Sequence, residues 1–414
     1  MAWIVRPFKL SLQLSKNTFE RGERDMSDVM KPAWGAVFAM SMGVFGLVGA
    51  EFLPASLLTP MAADLGVSEG LAGQAVTATA AVALVTSLLI ATATRRVDRR
   101  TVLLAFSVLL IASNLAVAFA PNLPVLLVGR VLLGIAIGGF WTMAAATAMR
   151  LVPPDLVPRA LSIIFSGVSA ATVFAAPLGS YVGGLIGWRP VFLLGAVLGL
   201  LALAAQAATL PRMAPSGDAR LRTLLDVLTR PGVGIGMLAV VLVFTGHFAF
   251  FTYIRPFLET VTSVGLDGVS GILLGFGLAN FVGTALGGML LERNMRLTLV
   301  AMPLLMALLG LGLASMGGTP AIDTVLVTLW GLAFGAVPVA WSTWITRAVP
   351  DEAESAGGLI VAAVQLAIAT GAAAGGAIFG VSGVTGVFTM AGAVLLIAVL
   401  TILLGVRTRT VETA

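Results

Sequence analysis

The sequence predicts an all-α integral membrane protein with twelve spanning helices arranged in two halves of six. Three observations predict this class: the composition, the repeated apolar runs and the alternation of basic loops. Of the 414 residues, 58% are hydrophobic and 10% are charged, and the mean hydropathy is +1.04. A soluble domain carries about 25% charged residues. Lipid therefore solvates most of this chain.

Apolar runs recur along the chain, and each is close to the ~20 residues that cross a ~30 Å hydrocarbon core. Gly and Pro are frequent inside these runs, as membrane helices allow. The predicted spans are 33–55, 70–93, 101–120, 123–149, 159–183, 190–210, 232–257, 269–291, 297–317, 322–346, 354–379 and 383–406.

Basic residues lie mostly in alternate loops between these runs. Such a bias places the basic loops in the cytoplasm, together with both termini, and favours an even number of spans. Three arginines fall outside the pattern, namely Arg130, Arg189 and Arg255. The basic positions after the first span are Arg95, Arg96, Arg99, Arg100, Arg150, Arg159, Arg212, Arg220, Arg222, Arg230, Arg293, Arg296, Arg347, Arg407 and Arg409.

The longest break between apolar runs, 211–231, divides the chain into two bundles, 33–210 and 232–406. We expect it to be a cytoplasmic linker, with cytoplasmic tails at 1–32 and 407–414. Two such halves around a midplane site are a known transporter plan. A channel, which rarely needs so many spans in one chain, and a membrane enzyme or sensor are the alternatives.

Several classes of function are disfavoured by composition. The chain has no cysteine and a single histidine, His247, which excludes a disulfide framework, a thiolate metal site and a cluster of histidine ligands. The net charge of +5 comes from basic residues in loops that set the topology, so it does not indicate a nucleic-acid partner. A membrane enzyme would need clustered His, Asp or Glu at the membrane face, and the sequence has none.

Two charged residues inside the predicted spans mark a candidate coupling site. Glu51 lies in the first span and Arg130 in the fourth, both near the outer ends. A charge at membrane depth is costly unless it is neutralised, paired or exposed to a wet cavity. We expect the two side chains to pair or to compete for a proton. The alternatives are that Glu51 reaches the headgroups and that Arg130 caps main-chain carbonyls.

Local motifs resemble the major facilitator superfamily, in its drug:H⁺ antiporter branch. The loop at 95–104 is similar to the family's loop between helices 2 and 3, which implies a gating role for Arg96, Asp98, Arg99 and Arg100. Asp98 stands where the family has a glycine, and a pure topology signal is the alternative. The run at 129–139 resembles the helix-4 pattern Arg-x-x-x-Gly, which implies proton coupling by Arg130. The resemblance therefore implies the major facilitator fold, with two six-helix bundles around a central cavity.

Longer segments, at 51–74 and 246–256 with shorter ones at 138–141 and 341–344, are similar to bacterial members of the superfamily that export purine ribonucleosides. This resemblance implies antiport of inosine, guanosine or adenosine against protons across the bacterial inner membrane. It implies no cofactor beyond the proton gradient, and we expect a monomer. Export of drugs or of an arabinose-like sugar is the runner-up.

A nucleoside offers an aromatic face and ribose hydroxyls, so its site needs stacking surfaces and neutral hydrogen-bonding groups. The candidates in or near the central helices are Trp141, His247, Tyr253, Asn280, Trp341 and Gln365. The alternative roles are interfacial anchoring for tryptophans, helix bridging for amides and simple packing for His247. Arg255 and Glu259 have the spacing of a structural i,i+4 pair.

Overall fold

The computed structural model describes residues 31–153, 156–215, 221–349 and 353–406, and every regular element within them is a helix. The predicted tails lie outside these residues, apart from residues 31 and 32. Eleven helical stretches of the described chain are long and apolar enough to cross a membrane, and the last of them contains two spans.

The N-terminal half contains spans 1 to 6. Two short helices, Leu58–Leu65 and Glu69–Ala72, separate span 1 from span 2. The spans are Trp34–Ser56 (span 1), Gln74–Ala93 (span 2), Arg99–Ala118 (span 3), Leu123–Leu151 (span 4), Val157–Ile186 (span 5) and Trp188–Thr209 (span 6).

The C-terminal half contains spans 7 to 12. A short helix, Leu221–Leu228, precedes this half, and another, Ile254–Thr260, follows span 7. The spans are Val233–Thr252 (span 7), Leu266–Leu291 (span 8), Arg293–Met316 (span 9), Pro320–Ala348 (span 10), and residues 353–382 (span 11) and 384–405 (span 12).

Non-helical residues divide the two longest helices. Leu266–Met316 breaks at Asn294 (φ −160°, ψ 98°), and Ala353–Gly405 breaks at Gly383 (φ +64°), a conformation that favours glycine. Gly371 and Ala391 both contact span 7 at neighbouring residues, Thr245 and Gly246, so the chain reverses at the second break. The twelve predicted spans are therefore confirmed.

The loop residues that begin span 3 and span 4 explain where these helices start. Asp98 accepts hydrogen bonds from the amides of Arg100 (2.9 Å) and Thr101 (3.4 Å), and Asn122 accepts one from Val125 (3.1 Å). Both are preferred N-cap residues because their side chains satisfy amides that lack an intrahelical partner.

The two halves repeat the same packing. Ser41 of span 1 pairs with Ser166 of span 5 at 3.4 Å, and Thr245 of span 7 pairs with Thr370 of span 11 at 3.0 Å. Each residue of the second pair lies 204 positions after its counterpart. The adjacent glycines, Gly167 and Gly371, contact the main chain of the same partners. Spans 1 and 5 therefore correspond to spans 7 and 11.

The halves meet through span 2 against span 11 and span 5 against span 8. We call the side that carries the loop at Arg95–Arg100 the basic face, and the other side the opposite face. Close contact between the halves is found towards the opposite face, where a Cβ at Gly70 would lie 2.7 Å from the Gly376 carbonyl oxygen. Ala55, Leu58 and Ala72 of the N-terminal half join the apolar core of the C-terminal half there.

Candidate transport site

Glu51 lies where span 1 meets the C-terminal half. Its side chain is 7% exposed, and the amide of Gln365, from span 11, lies within hydrogen-bonding range of it. One oxygen on each side chain, Oε1 of Glu51 and Oε1 of Gln365, has no hydrogen-bond partner among the described residues. Buried polar atoms are nearly always bonded, so these two atoms are candidates to bond a water molecule or a bound solute.

A small cavity opens beside Glu51, between the two halves. It has room for about one water molecule. A third buried polar atom without a partner in the described chain, Oγ1 of Thr252, belongs to a lining residue. The lining residues are Glu51, Phe52, Ala55, Val76, Phe248, Phe251, Thr252 and Ile368.

Arg130 is fully buried on span 4 and binds main-chain carbonyls. Its guanidinium donates to the carbonyl oxygens of Ala75 (3.1 Å), Ala50 (2.8 Å) and Glu51 (3.4 Å). The charge of the guanidinium attracts the Glu51 carboxyl, but these three direct bonds go to the main chain. The arrangement agrees with the alternative of carbonyl capping, and it ties together spans 1, 2 and 4.

His247 is 2% exposed and lies in an aromatic cluster of the C-terminal half. Its ring stacks on Phe334 with centroids 3.3 Å apart, and its Nδ1 accepts a hydrogen bond from the indole Nε1–H of Trp330 at 3.1 Å. An indole nitrogen only donates. Nδ1 of His247 therefore carries no proton in this arrangement.

Tyr253 closes the contact between the halves at the opposite face. Its hydroxyl donates to the carbonyl of Ala372 at 3.0 Å, and its ring fits against Gly73, Gly375 and Gly376. The residue is fully buried, so in this conformation it packs one half against the other.

Three other candidates lie within helix packing and are not among the lining residues of the cavity. The Asn280 amide donates to the carbonyl of Gly331 at 3.4 Å and bridges spans 8 and 10. Trp141 stacks on Phe165 at 5.5 Å, and Trp341 lies edge-on to Trp344 at 5.4 Å. Of the predicted set, Glu51 and Gln365 are brought together.

Arg255 forms the pair expected with Glu259, with Nε 2.8 Å from Oε1. It also reaches into the N-terminal half, where Nη1 donates to the carbonyl of Ser56 at 2.5 Å and lies 3.5 Å from Oγ of Ser180. Sequence reasoning missed this second role. The available signal was that Arg255 falls outside the basic loops.

The loop predicted to gate transport contacts the start of the linker. Asp98 accepts a hydrogen bond from the amide of Met213 at 2.9 Å, and the amide of Arg99 donates to the Met213 carbonyl at 3.0 Å. The Arg100 guanidinium donates to the carbonyl of Ala207 at 2.6 Å, whereas Arg96 is exposed. The two bonds with Met213 fasten the beginning of the linker to the N-terminal half, and the bond to Ala207 joins span 3 to span 6.

Sequence reasoning also missed two residues of the aromatic wall of the cavity. Phe52 and Phe251 contact each other across the halves with ring centroids 5.3 Å apart. Phe52 directly follows Glu51, and Phe248, Phe251 and Thr252 follow His247 within five residues. Their position beside the two predicted residues was the signal that could have found them.

Comparison with known proteins places the chain among transporters. A family model described as Major Facilitator Superfamily matches residues 34–371. The chain is 46% identical over 394 residues to a purine ribonucleoside efflux pump of Salmonella enteritidis PT4, which covers 95% of this chain and 99% of that protein. The pump of the same name from Salmonella typhimurium LT2 is also 46% identical, with the same coverage.

Two solved structures share the fold. A D-xylose–proton symporter superposes with a TM-score of 0.73 at 18% identity, covering 91% of this chain and 98% of its own. A bacterial homologue of the human lysosomal transporter Spinster, in an inward-facing and occupied conformation, superposes with a TM-score of 0.72 at 16% identity, covering 91% and 97%. At these identities the likeness concerns the fold alone.

Proposed function

The chain belongs to the major facilitator superfamily, and from this premise we propose that it exports purine ribonucleosides in exchange for protons. It is a transporter and not an enzyme, as its family and its relatives are. The observation that carries the proposal is the buried Glu51 carboxyl, with an unpartnered oxygen, at the contact between the two halves. The name of the relatives at 46% identity supports the choice of cargo.

Proton coupling at Glu51 follows from the cost of burying a charge. A neutral carboxyl can lie between the halves beside Gln365, but an ionised one without a partner is far more costly to bury. Loss of the proton therefore favours separation of the halves, which admits water or cargo. Arg130 holds the main chain at Glu51 in place while the carboxyl changes its charge.

Cargo binding requires a change in the cavity. A space for about one water molecule is far too small for a nucleoside, so the halves must separate before the cargo enters. Separation exposes Phe52, Phe248 and Phe251, on which a purine ring can stack. Thr252 and Gln365 then offer hydrogen-bonding atoms to a hydroxyl or ring nitrogen.

We place the protein in the bacterial inner membrane as a monomer, with both termini and the basic face in the cytoplasm. The proton gradient is the energy source, and the cycle uses no cofactor. The opposite face, where Tyr253 and Arg255 close the halves, is then the periplasmic face.

The test uses inverted membrane vesicles with an acidic interior, into which export appears as uptake. We expect inosine to accumulate and a protonophore to abolish the accumulation. Arabinose and a cationic dye serve as competing cargoes. Preference for either over inosine would support the runner-up function.

Glu51→Gln is the decisive variant, because it imitates the neutral carboxyl. Gradient-driven accumulation should be lost, while inosine counterflow without a gradient should persist. The control, Asp267→Asn, changes an exposed carboxylate at the opposite face and should behave as wild type. Normal driven accumulation by Glu51→Gln would contradict the coupling mechanism.

A further inference from the structure

The single histidine of the chain is held in one protonation state by a hydrogen bond. The Nε1–H of Trp330 donates to Nδ1 of His247 at 3.1 Å. Because an indole nitrogen cannot accept, Nδ1 must keep its lone pair. The neutral ring then carries its proton on Nε2, and this nitrogen is a hydrogen-bond donor.

The surroundings of the ring indicate where this donor points. Trp330 is fully buried and stacks on Phe250 at 3.7 Å, so Nδ1 faces the interior of the C-terminal half. The two nitrogens of an imidazole diverge, and Nε2 therefore points away from Trp330. Phe248 and Phe251, whose rings contact His247, line the cavity beside Glu51.

Among the described residues, His247 makes one side-chain hydrogen bond, through Nδ1 to Trp330, and none through Nε2. Nε2 is thus a donor of fixed orientation beside the aromatic wall of the cavity. A purine ring stacked on that wall presents acceptor nitrogens at its edge, and N7 is an acceptor on both adenine and guanine.

We propose that Trp330 is a positioning residue that holds His247 as an Nε2–H donor, and that this donor binds N7 of the purine cargo. The cargo part of the inference rests on the proposed function. The arrangement also opposes a role for His247 as a proton relay, because a relay needs both ring nitrogens to exchange protons.

The first experiment determines the protonation state without any transport assay. His247 is the only histidine, so protein labelled with [¹⁵N]histidine and purified through a tag without histidine gives NMR signals from this ring alone. We expect an unprotonated Nδ1 and a protonated Nε2 from pH 5 to 8. Trp330→Phe keeps an aromatic ring against Phe250 but removes the donor, and its spectrum should show a mixture of states that changes with pH.

The second experiment measures uptake into inverted vesicles of inosine and of 7-deazainosine, which lacks the N7 acceptor. Loss of one buried hydrogen bond should raise the half-saturating concentration about tenfold. We expect this rise for wild type with 7-deazainosine and for Trp330→Phe with inosine. His247→Gln keeps an N–H donor and should recover part of the preference. The control is Trp188→Phe in the N-terminal half, which removes the indole donor that bonds Asp64 of the same half. It should keep the wild-type preference.

Several results would overturn the inference. A protonated Nδ1 in the wild-type spectrum would contradict the assigned state. Equal uptake of the two cargoes by wild type, or equal weakening of both by Trp330→Phe, would show that the pair only packs. A wild type that moves no nucleoside would overturn the proposed function and the cargo assignment, while the spectrum would still decide the role of Trp330.

Discussion

Arg130 hydrogen-bonds the main chain of Glu51, with Nη2 3.4 Å from the carbonyl oxygen. Together with its bonds to Ala50 and Ala75, this contact fixes the backbone of span 1 at the depth of the buried carboxyl. The proposed proton carrier is thus positioned through its backbone by a residue of another helix. A carboxyl whose position is fixed in this way can change its charge without a rearrangement within its own half.

Arg130→Lys should impair transport although it keeps the positive charge. An ammonium group cannot reach three carbonyls in the geometry of a guanidinium, and each buried group left unbonded costs about 1–3 kcal/mol. We expect driven inosine uptake to fall about tenfold or more and the melting temperature in detergent to drop. Arg347→Lys, at an exposed position, is the control. Wild-type uptake by Arg130→Lys would show that charge alone suffices.

Gly70→Ala should prevent closure at the opposite face. The added Cβ would lie 2.7 Å from the carbonyl oxygen of Gly376, and main-chain atoms of two packed helices cannot yield easily. We therefore expect the variant to favour a conformation open at that face. Driven uptake should fall because the cycle cannot return to the closed state.

Cysteine labelling measures this opening, since the chain has no native cysteine. The reporter is Ala55→Cys, at a lining residue of the cavity. A membrane-impermeant maleimide applied to the opposite face should label it faster when Gly70→Ala is also present than when Gly70 is kept. The control, Gly271→Ala, adds a Cβ where no atom lies within 4 Å. Unchanged labelling in Gly70→Ala would refute the steric argument.

Arg255→Gln tests the hydrogen bonds between the halves. The glutamine cannot bond the Ser56 carbonyl and Glu259 together as Arg255 does. We expect faster labelling of the same reporter from the opposite face, by about ten- to a hundredfold for one charged hydrogen bond. Glu259→Gln removes the i,i+4 pair but keeps the contact with Ser56, and it should change labelling less. Equal effects of the two variants would mean that the pair within the helix controls closure.

Asp64 gives a pH-dependent contribution to stability. It lies outside the spans and accepts hydrogen bonds from the Arg189 guanidinium and from Nε1 of Trp188 at 3.1 Å. The Arg189 hydrogen bond lowers the pKa of Asp64 below its ordinary value of 3.8. A lowered pKa stabilises the fold at pH values above 3.8, and this contribution is lost as the pH falls through the lowered value.

Asp64→Asn should therefore lower the melting temperature at pH 7 by about 1–2 °C, because the pair is partly exposed to solvent. The difference from wild type should shrink as the pH falls below 3.8. Differential scanning fluorimetry in detergent measures both effects. Asp226→Asn, at an exposed linker position, is the control. A difference that grows in acid would contradict the assigned direction.

The fold was predictable because insertion of apolar segments into lipid dominates it, and the hydropathy of each residue can be read from the sequence. Apolar length sets the number of spans, and arginine placement sets their alternation. Local details were less accessible. Span 7 was predicted as 232–257 but ends at Thr252, where the chain turns before Ile254–Thr260. Hydropathy does not record this turn, because the residues on both sides of it are buried and most of them are apolar.

The site was predictable in part for the same reason. A carboxyl in an apolar run is visible in the sequence, and Glu51 is buried as its position indicated. Its neighbour in space, Gln365, was predicted as a residue of the substrate site, but its contact with Glu51 was not, because the contact depends on how span 11 packs against span 1. The cavity wall at Phe52 and Phe251 was missed since phenylalanines are common in membrane helices and carry no charge to mark them.

The correspondence between spans 1 and 7 relates the two charged positions to each other. Counting the same 204 residues that separate Ser41 from Thr245 leads from Glu51 to Arg255. An acid and a base thus occupy corresponding positions in the sequences of the two halves. The base bonds the main chain of the opposite half at Ser56, whereas the acid keeps an oxygen without a partner in the described chain, so the two halves use equivalent positions differently.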